Sequence, residues 1–360
     1  MYLVLEFNYP VVHIDLEKIK HNIGLISKKC RNSGMEPVAV LKGTNGSSEV
    51  ARVFVDAGIS TIADARIGNL KAYEHIAAKK MLVRLPMLSE AADVVRYSDV
   101  SLNSEITVIQ AIANEARRMN KQHEVILMIE AGDLREGIYD QEELFSIIKK
   151  ITNLEGVNLT GLGTNLNCFG SIKPTNENLG RLVELKQEIN NKLGIDIDLI
   201  SGGSTGSLAL IDNGEMPEGI NQLRIGTAFF NGFVEVSLPR LPDTYMDTFI
   251  LKAEIIEIKE KPSKPFGTTG VDSFRNKTEF PDKGIRKRAI CAIGKQDTEP
   301  RFMYPVNEKV ELIGSSSDHL VLDITACGEN FAVGDTVSFI LDYVAIMRVM
   351  TSGHVRKLYI

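Results

Sequence analysis

The stretch PVAVLKGTNGSSEVARVFVDAGISTIADA, residues 37–65, decides the fold. It opens on PVAVL (37–41), a short apolar run of the kind that forms a strand buried on both faces. After Gly43 and Gly46 comes SSEVARVFVDAG, with a serine cap and Glu49 in the first turn. An apolar stripe at Val50, Phe54 and Val55 and a stop at Gly58 complete a helix. A second strand, STIADA (60–65), follows. The same alternation continues through MLVRL (81–85), VSLN (100–103), EVILMIE (124–130), NLTGLGTN (158–165), DLISGGS (198–204) and NQLRIG (221–226). Eight strand-plus-helix units in succession are what an α/β fold of the TIM type, a (β/α)8 barrel, requires. An open doubly wound sheet usually has fewer strands and one ligand site at a reversal of strand order. The pattern favours the barrel.

Ahead of the first strand, HIDLEKIKHNIGLISKKC (13–30) reads as an amphipathic helix capped by Asp15. Behind the eighth, the texture changes. FILKAEIIEIKE, RAICAIG, KVELIG, HLVLDI, TVSFIL and VRKLYI are strand-like and separated by Gly, Pro, Ser and Asp turns. The expected organisation is a barrel domain over 11–235 and a C-terminal mostly-β domain over 245–360, which residues 1–10 can join. Between Lys261 and Lys287 lies a polar, charged stretch without periodicity, a connection long enough to be functional or mobile.

Composition narrows the classes. The chain has 360 residues, 44% hydrophobic and 24% charged, with 29 Gly and no Trp, as an ordinary globular protein would. A net charge of −6 argues against a general nucleic-acid or anionic-membrane partner. No apolar run approaches the roughly 20 residues that span a bilayer. The opening MYLVLEFNYPVV carries Glu6 and lacks both a basic leader and a small-residue cleavage site. Cys30, Cys168, Cys291 and Cys327 are scattered without a CxxC pair, so neither a disulfide framework nor a zinc site is suggested. They read as small buried apolar residues. A reducing, cytoplasmic setting is the default.

In a β/α barrel the chemistry sits where strands end and βα loops begin. The first strand ends in Lys42, followed by Gly43, Thr44, Asn45 and Gly46. An ammonium there must pair with an anion or become a neutral, nucleophilic amine; taken alone, Lys42 reads more readily as a solvated surface lysine. The seventh strand runs into SGGSTGSL (201–208), whose backbone N–H groups and Ser204, Thr205 and Ser207 make a phosphate cradle. The eighth adds Arg224, Gly226 and Thr227 next door, and phosphate binding by these two loops is frequent in this fold. Tight turns would explain one such loop but less readily two. The fifth strand places Glu130 and Arg135 near the rim, and the sixth Asn165 and Asn167. Schiff-base chemistry on a phosphorylated cofactor would use all of these parts.

The DLxxIxHN helix, the strand ending in lysine and the late LRIG strand end resemble the alanine-racemase-like enzymes of pyridoxal-phosphate fold type III. Within them, GLGTNLNCFG (161–170), PTNENLGRL (174–182), SGGSTGSLALIDNGEMPEGINQLRIG (201–226) and GIRKRAICAIGKQD (284–297) resemble the ornithine racemase branch. The similarity runs from about Val11 to the C-terminus. It implies an amino-acid racemase, with ornithine or another basic amino acid as substrate, pyridoxal 5'-phosphate as cofactor and a homodimer with shared active sites. Lys42 would hold the cofactor covalently and move the Cα proton on one face. Arg224 would lie against the pyridine nitrogen. Ser204, Thr205, Gly226, Thr227 and Tyr343, the last in LDYVAIMR (341–348), would hold the phosphate. Arg135 would orient the substrate side, and Asn165 falls where alanine racemases carry a histidine beside the ring arginine.

The departures from that pattern concern the other face. Gly46 stands where alanine racemases have a tyrosine, and Met128 where they have a carbamylated lysine. Phe274 aligns nearest to the partner-subunit tyrosine that serves as their second base, and a phenyl ring cannot move a proton. Asp272, Ser273, Lys295 and Asp318 are candidates for the second catalytic role, with Asp272 and Asp318 favoured. An acidic group could instead receive the distal ammonium of a basic substrate. Two rival readings share the lysine and the phosphate loops. A related amino-acid decarboxylase would show a His-Gly-Ser-type motif and a late Cys-Asp motif, neither of which is seen. A non-catalytic cofactor-binding barrel would stop before the β-rich tail.

Overall fold

The computed structural model describes residues 8–234, 240–271, 273–275, 277, 279–328 and 330–360. They fall into two compact units, one of Glu17–Tyr245 and one of residues 8–16 with 246–360. The chain begins with β1 (Val11–Ile14) and α1 (Leu16–Asn32). On α1, Ile19, Ile23, Ile26 and Cys30 recur at helical spacing and are buried. Asn22 on the same helix is buried and donates to the carbonyls of Phe229 (3.2 Å) and Tyr245 (2.9 Å).

Eight strands then close in sequence order into a parallel barrel: β2 (Glu36–Val40), β3 (Thr61–Asp64), β4 (Lys79–Leu82), β5 (Val100–Asn103), β6 (His123–Met128), β7 (Val157–Thr164), β8 (Leu199–Gly202) and β9 (Gln222–Ile225). All eight expected strands are present, with their ends shifted by at most three residues. A helix follows each in turn: α2 (Ser48–Asp56), α3 (Ile67–Ala72), α4 (Ala91–Tyr97), α5 (Ile106–Arg118), α6 (Gln141–Ile151), α7 (Asn176–Leu193), α8 (Leu208–Asn213) and α9 (Thr227–Asn231). As its sequence requires, α2 is capped by Ser47, which accepts from the Val50 amide at 3.2 Å, and buries Val50, Ala51 and Phe54.

The barrel interior is filled by Val38, Val40, Ala63, Met81, Val100, Leu102, Ile126 and Met128, all buried. Strand alternation selects them, every second residue pointing inward. Burial of each large member stabilises the barrel by roughly 1.5–3 kcal/mol against leaving it in water. The ring is closed by β2 against β9, with Val38 opposite Arg224.

The other unit contains β10 (Phe249–Pro262), β11 (Ile285–Cys291), β12 (Met303–Pro305), β13 (Glu311–Ser315), β14 (Leu320–Asp323), β15 (Thr336–Leu341), α10 (Tyr343–Thr351) and β16 (Arg356–Tyr359). Six strands form an antiparallel sheet in the order β12-β15-β10-β11-β14-β13. β1 joins it, antiparallel to β10 and parallel to β16. This corrects the expected start of the barrel domain at Val11: residues 11–16 lie with the β unit, and the barrel unit runs from Glu17 to Tyr245. The short β12 is an addition to the six expected strands. Between Pro262 and Ile285 the described residues contain no helix or strand. Among the described residues no helix is long and apolar enough to cross a membrane.

At the floor of the barrel, His123 is 1% exposed and shares a 2.8 Å hydrogen bond with the Ser101 hydroxyl. Burial pushes its imidazole down to about 4, against the opposing pull of Asp99. The folded protein therefore keeps His123 neutral where an unfolded chain takes up a proton at about pH 6.5. The resulting stability is complete above that pH and is lost as pH falls toward 4, on the order of 3 kcal/mol in all. His123→Gln keeps a hydrogen-bonding partner for Ser101 without the titration. Its urea midpoint should fall less steeply than that of the wild type between pH 7 and 4, measured by circular dichroism.

Candidate active site

Lys42 stands at the C-terminal end of β2, in a single 3-10 turn of Lys42–Thr44. The turn is pinned by the Thr44 hydroxyl, which donates to the Leu41 carbonyl at 2.9 Å. Asn45 then adopts a left-handed φ of 51° and Gly46 one of 79°, which swing the chain into the Ser47 cap. Lys42 keeps access to solvent. Loss of bulk water, then the nearby Arg135 guanidinium, lower its pKa; Cys168, Asp64 and Glu136 pull the other way. The net effect is a lowered proton affinity, which makes the nucleophilic neutral amine easier to reach.

Arg224 on β9 is 5% exposed and lies inside the ring. Its Nη1 donates to the Ser201 hydroxyl and its Nη2 to the Thr164 carbonyl, each at 2.5 Å. Gly163 packs close beside it: a Cβ there would stand 3.4 Å from Arg224 Nη1 and 3.3 Å from Met128 Sδ. Burial lowers the guanidinium to about 10, so it remains a cation at neutral pH. Immediately after Thr164, the Asn165 Nδ2 is buried and has no hydrogen-bond partner among the described residues. A buried amide donor left unpaired costs roughly 1–3 kcal/mol and awaits an acceptor.

The loops after β8 and β9 are tied together. The Arg224 amide donates to the Gly203 carbonyl at 3.0 Å, and the Gly226 amide to the Thr205 hydroxyl at 3.2 Å. Gly203 has a φ of 90°, and a Cβ on it would come within 2.9 Å of Ser207 Oγ. That hydroxyl is already committed to the Gly202 carbonyl at 2.6 Å. Ser204, Thr205, Gly226 and Thr227 thus converge on one corner of the mouth, next to Arg224. The structure brings together Lys42, Asn165, Arg224 and this pair of loops.

Arg135, on the loop after β6, forms a bidentate ion pair with Glu136 and donates through Nη1 to Cys168 Sγ at 2.9 Å. Burial alone would lower its pKa, but the Glu136 pair more than offsets this and the net shift is upward. Cys168 is exposed, whereas Cys30, Cys291 and Cys327 are buried, so the reading of all four as buried apolar residues fails at this one. Its loop is clamped by Asp133, 1% exposed, whose carboxylate accepts the amides of Cys168 (3.2 Å), Phe169 (3.0 Å) and Ile172 (3.4 Å). Sequence reasoning did not single out Asp133, and it read Cys168 as buried although that residue lies inside the quoted GLGTNLNCFG (161–170).

The remaining candidates belong to the β unit. Asp318 lies in the exposed turn between β13 and β14, where its carboxylate bonds His319 Nδ1 (2.8 Å) and the hydroxyls of Ser316 (3.0 Å) and Ser317 (3.2 Å). The His319 bond first, with the two serines, holds it below the usual carboxylate range. Lys295 places its ammonium 3.9 Å from the centre of the Phe274 ring. Ser273 is exposed, and Tyr343 is the first residue of α10. Asp272 lies outside the described residues.

Residues 14–232 match the model of the alanine racemase N-terminal domain. The chain is 40% identical to an ornithine racemase of Acetoanaerobium sticklandii over 97% of its own length and 99% of the relative's. It is 39% identical to a lysine racemase of Thermotoga maritima, over 98% of each chain. Among solved structures, an alanine racemase from Bartonella henselae with covalently bound pyridoxal phosphate superposes with a TM-score of 0.74 at 16% identity, over 98% of this chain and all of that one. That likeness carries the barrel and the antiparallel β unit.

Asp133→Ala removes one acceptor from three amides of a single loop. Hydrogen bonds to a charged group are worth roughly 1.5–3 kcal/mol each. Amide exchange at Cys168, Phe169 and Ile172 should therefore accelerate at least about tenfold by mass spectrometry, while β2–β5 keep their protection.

Proposed function

The chain belongs to the alanine racemase family, and we propose that it is a pyridoxal-phosphate-dependent racemase, an isomerase that interconverts the L and D forms of ornithine, lysine or another basic amino acid. The observation that carries this reading is the pairing, in one barrel mouth, of Lys42 with depressed basicity and the buried cation Arg224. Identities of 40% and 39% to an ornithine and a lysine racemase over nearly the whole chain support the substrate class.

When bound, pyridoxal phosphate supplies an electron sink that acidifies the Cα proton of the amino acid. The residues fit such a group: Asn165 offers an unused buried donor, and the linked loops at Gly203 and Gly226 offer backbone and hydroxyl groups to a phosphate. Lys42, as a neutral amine, would hold the cofactor covalently and move the Cα proton on one face. Arg224 would lie against the ring nitrogen and, remaining protonated, keep a proton off it. Ser204, Thr205, Gly226 and Thr227 would take the phosphate, and Arg135 would orient the substrate side. We further propose a cytoplasmic homodimer, in keeping with the four free cysteines and with the family resemblance.

Purified protein supplied with pyridoxal phosphate should invert L- and D-ornithine and lysine by chiral chromatography, with kcat/KM for alanine at least about tenfold lower. Release of CO2 without the D isomer would replace the racemase reading with a decarboxylase. Lys42→Ala should lose the absorbance of covalently held cofactor and all measurable inversion. Because its pKa is lowered, cofactor capture by the cofactor-free wild type should accelerate with rising pH and level off below about pH 10.4, the value of an ordinary lysine. A plateau at or above that pH would contradict the assignment.

A further inference from the structure

Inverting a carbon centre needs an acid–base group on each face, since one group alone mostly returns the proton where it came from. Lys42 serves one face in the reading above, on which this inference rests. The side chains that act electrostatically on Lys42 are Arg135, Cys168, Asp64 and Glu136. Three of them do not suit the second role. Arg135 stays protonated at any working pH. Glu136 gives both oxygens to Arg135. Asp64 is fully buried at the end of β3, next to β2 in the ring, so it stands on the Lys42 side; its Oδ1 holds the Arg66 amide and Asn69 Nδ2, each at 3.0 Å, and its Oδ2 has no partner among the described residues.

Cys168 is the exception. Its thiol is exposed, has no disulfide partner and stands at the mouth against Arg135 Nη1, 2.9 Å away. The ring order starts its loop on a different side of the mouth from Lys42. Counting from β2 through β9 and β8, the strand that feeds the Cys168 loop is three steps away in a ring of eight. The loop itself is built to hold still. Asp133 clamps three of its amides, Asn167 and Ser171 both take a left-handed φ of 56°, and Gly170 packs where a Cβ would meet the Asp133 carbonyl at 2.6 Å. Phe274 has no proton to exchange.

We propose that Cys168 is the second catalytic acid–base group, working on the face of the substrate Cα opposite Lys42. In one direction the thiolate removes the Cα proton, leaving the electron pair on carbon, and the Lys42 ammonium delivers a proton to the other face. The thiolate becomes a thiol and the ammonium an amine; in the reverse direction the roles exchange. One proton leaves carbon and one returns, and nothing is oxidised. Arg135 is a positioning residue for the sulfur.

The test compares wild type, Cys168→Ala and Cys168→Ser in deuterated water with each enantiomer of ornithine separately. Both variants should take up pyridoxal phosphate with the wild-type absorbance and affinity. Inversion should fall at least about 100-fold. Deuterium should still enter the Cα of one enantiomer, the one whose proton faces Lys42, with its configuration retained. In the cofactor-free wild type, iodoacetamide should label Cys168 ahead of the three buried cysteines. Variants that invert ornithine within about threefold of wild type would overturn the assignment, as would variants that bind cofactor but exchange neither enantiomer. A wild type that takes up cofactor but inverts no amino acid would instead sink the racemase reading itself.

Discussion

The arrangement of the barrel mouth depends on one backbone register, in which Glu36–Ala39 lies parallel to Gln222–Ile225 with Val38 opposite Arg224. This pairing joins segments 186 residues apart, 224 less 38, and closes the ring. Val38 and Val40 face the interior, and Lys42 follows two residues further on, in the 3-10 turn into which the strand end leads. Arg224, level with Val38, faces inward one layer below. A slip of one residue would turn the guanidinium toward the helices. The loops after β8 and β9 inherit their places from the same register, because the Arg224 and Gly226 amides are what tie them.

A register that brings a lysine and two arginines into one mouth creates an electrostatic cost. Arg224 has no ion pair among the described residues, and burying a guanidinium without one costs several kcal/mol unless hydrogen bonds compensate. Ser201 and Thr164 meet two of its N–H groups. Glu136 meets more of the cost, because it raises the proton affinity of Arg135, Arg224 and Lys42 together. Glu136 alone acts on all three, with Asp64 and Cys168 acting on Lys42 besides, so few anions face these groups. Such a field suits a phosphorylated ligand and an amino-acid carboxylate, and it keeps the Lys42 amine reactive.

Features set by local periodicity were legible in the sequence. The eight barrel strands, the α2 cap at Ser47 and the positions of Lys42 and Arg224 follow from alternation and strand ends, which neighbouring residues determine. What depended on distant partners was not. VVHI at 11–14 looks like the lead-in to a barrel, but its place is fixed by hydrogen bonding to β10 and β16, more than 230 residues downstream. The three-residue β12 is too short to carry a period. Cys168 looked like a buried filler because cysteine usually is one. Its exposure depends on Asp133, 35 residues earlier, and on left-handed turns at Asn167 and Ser171 that residue type alone does not demand.

The same distant clamp shows how this mouth gains precision. Long side chains on mobile loops are poor at holding reacting atoms within the few tenths of an ångström that proton transfer needs. Here the backbone does the holding. Gly137 turns at a φ of 139° so close to the preceding strand end that a Cβ would strike the Glu130 amide at 2.4 Å. That contact fixes the segment bearing Arg135 and Glu136. Asp133, at the head of that segment, grips the Cys168 loop in turn, so the loops after β6 and β7 are tied to each other. Arg135 therefore meets Cys168 Sγ with both ends anchored. A cysteine, with a single χ angle, loses less rotamer freedom there than a tyrosine or lysine reaching in from outside the barrel.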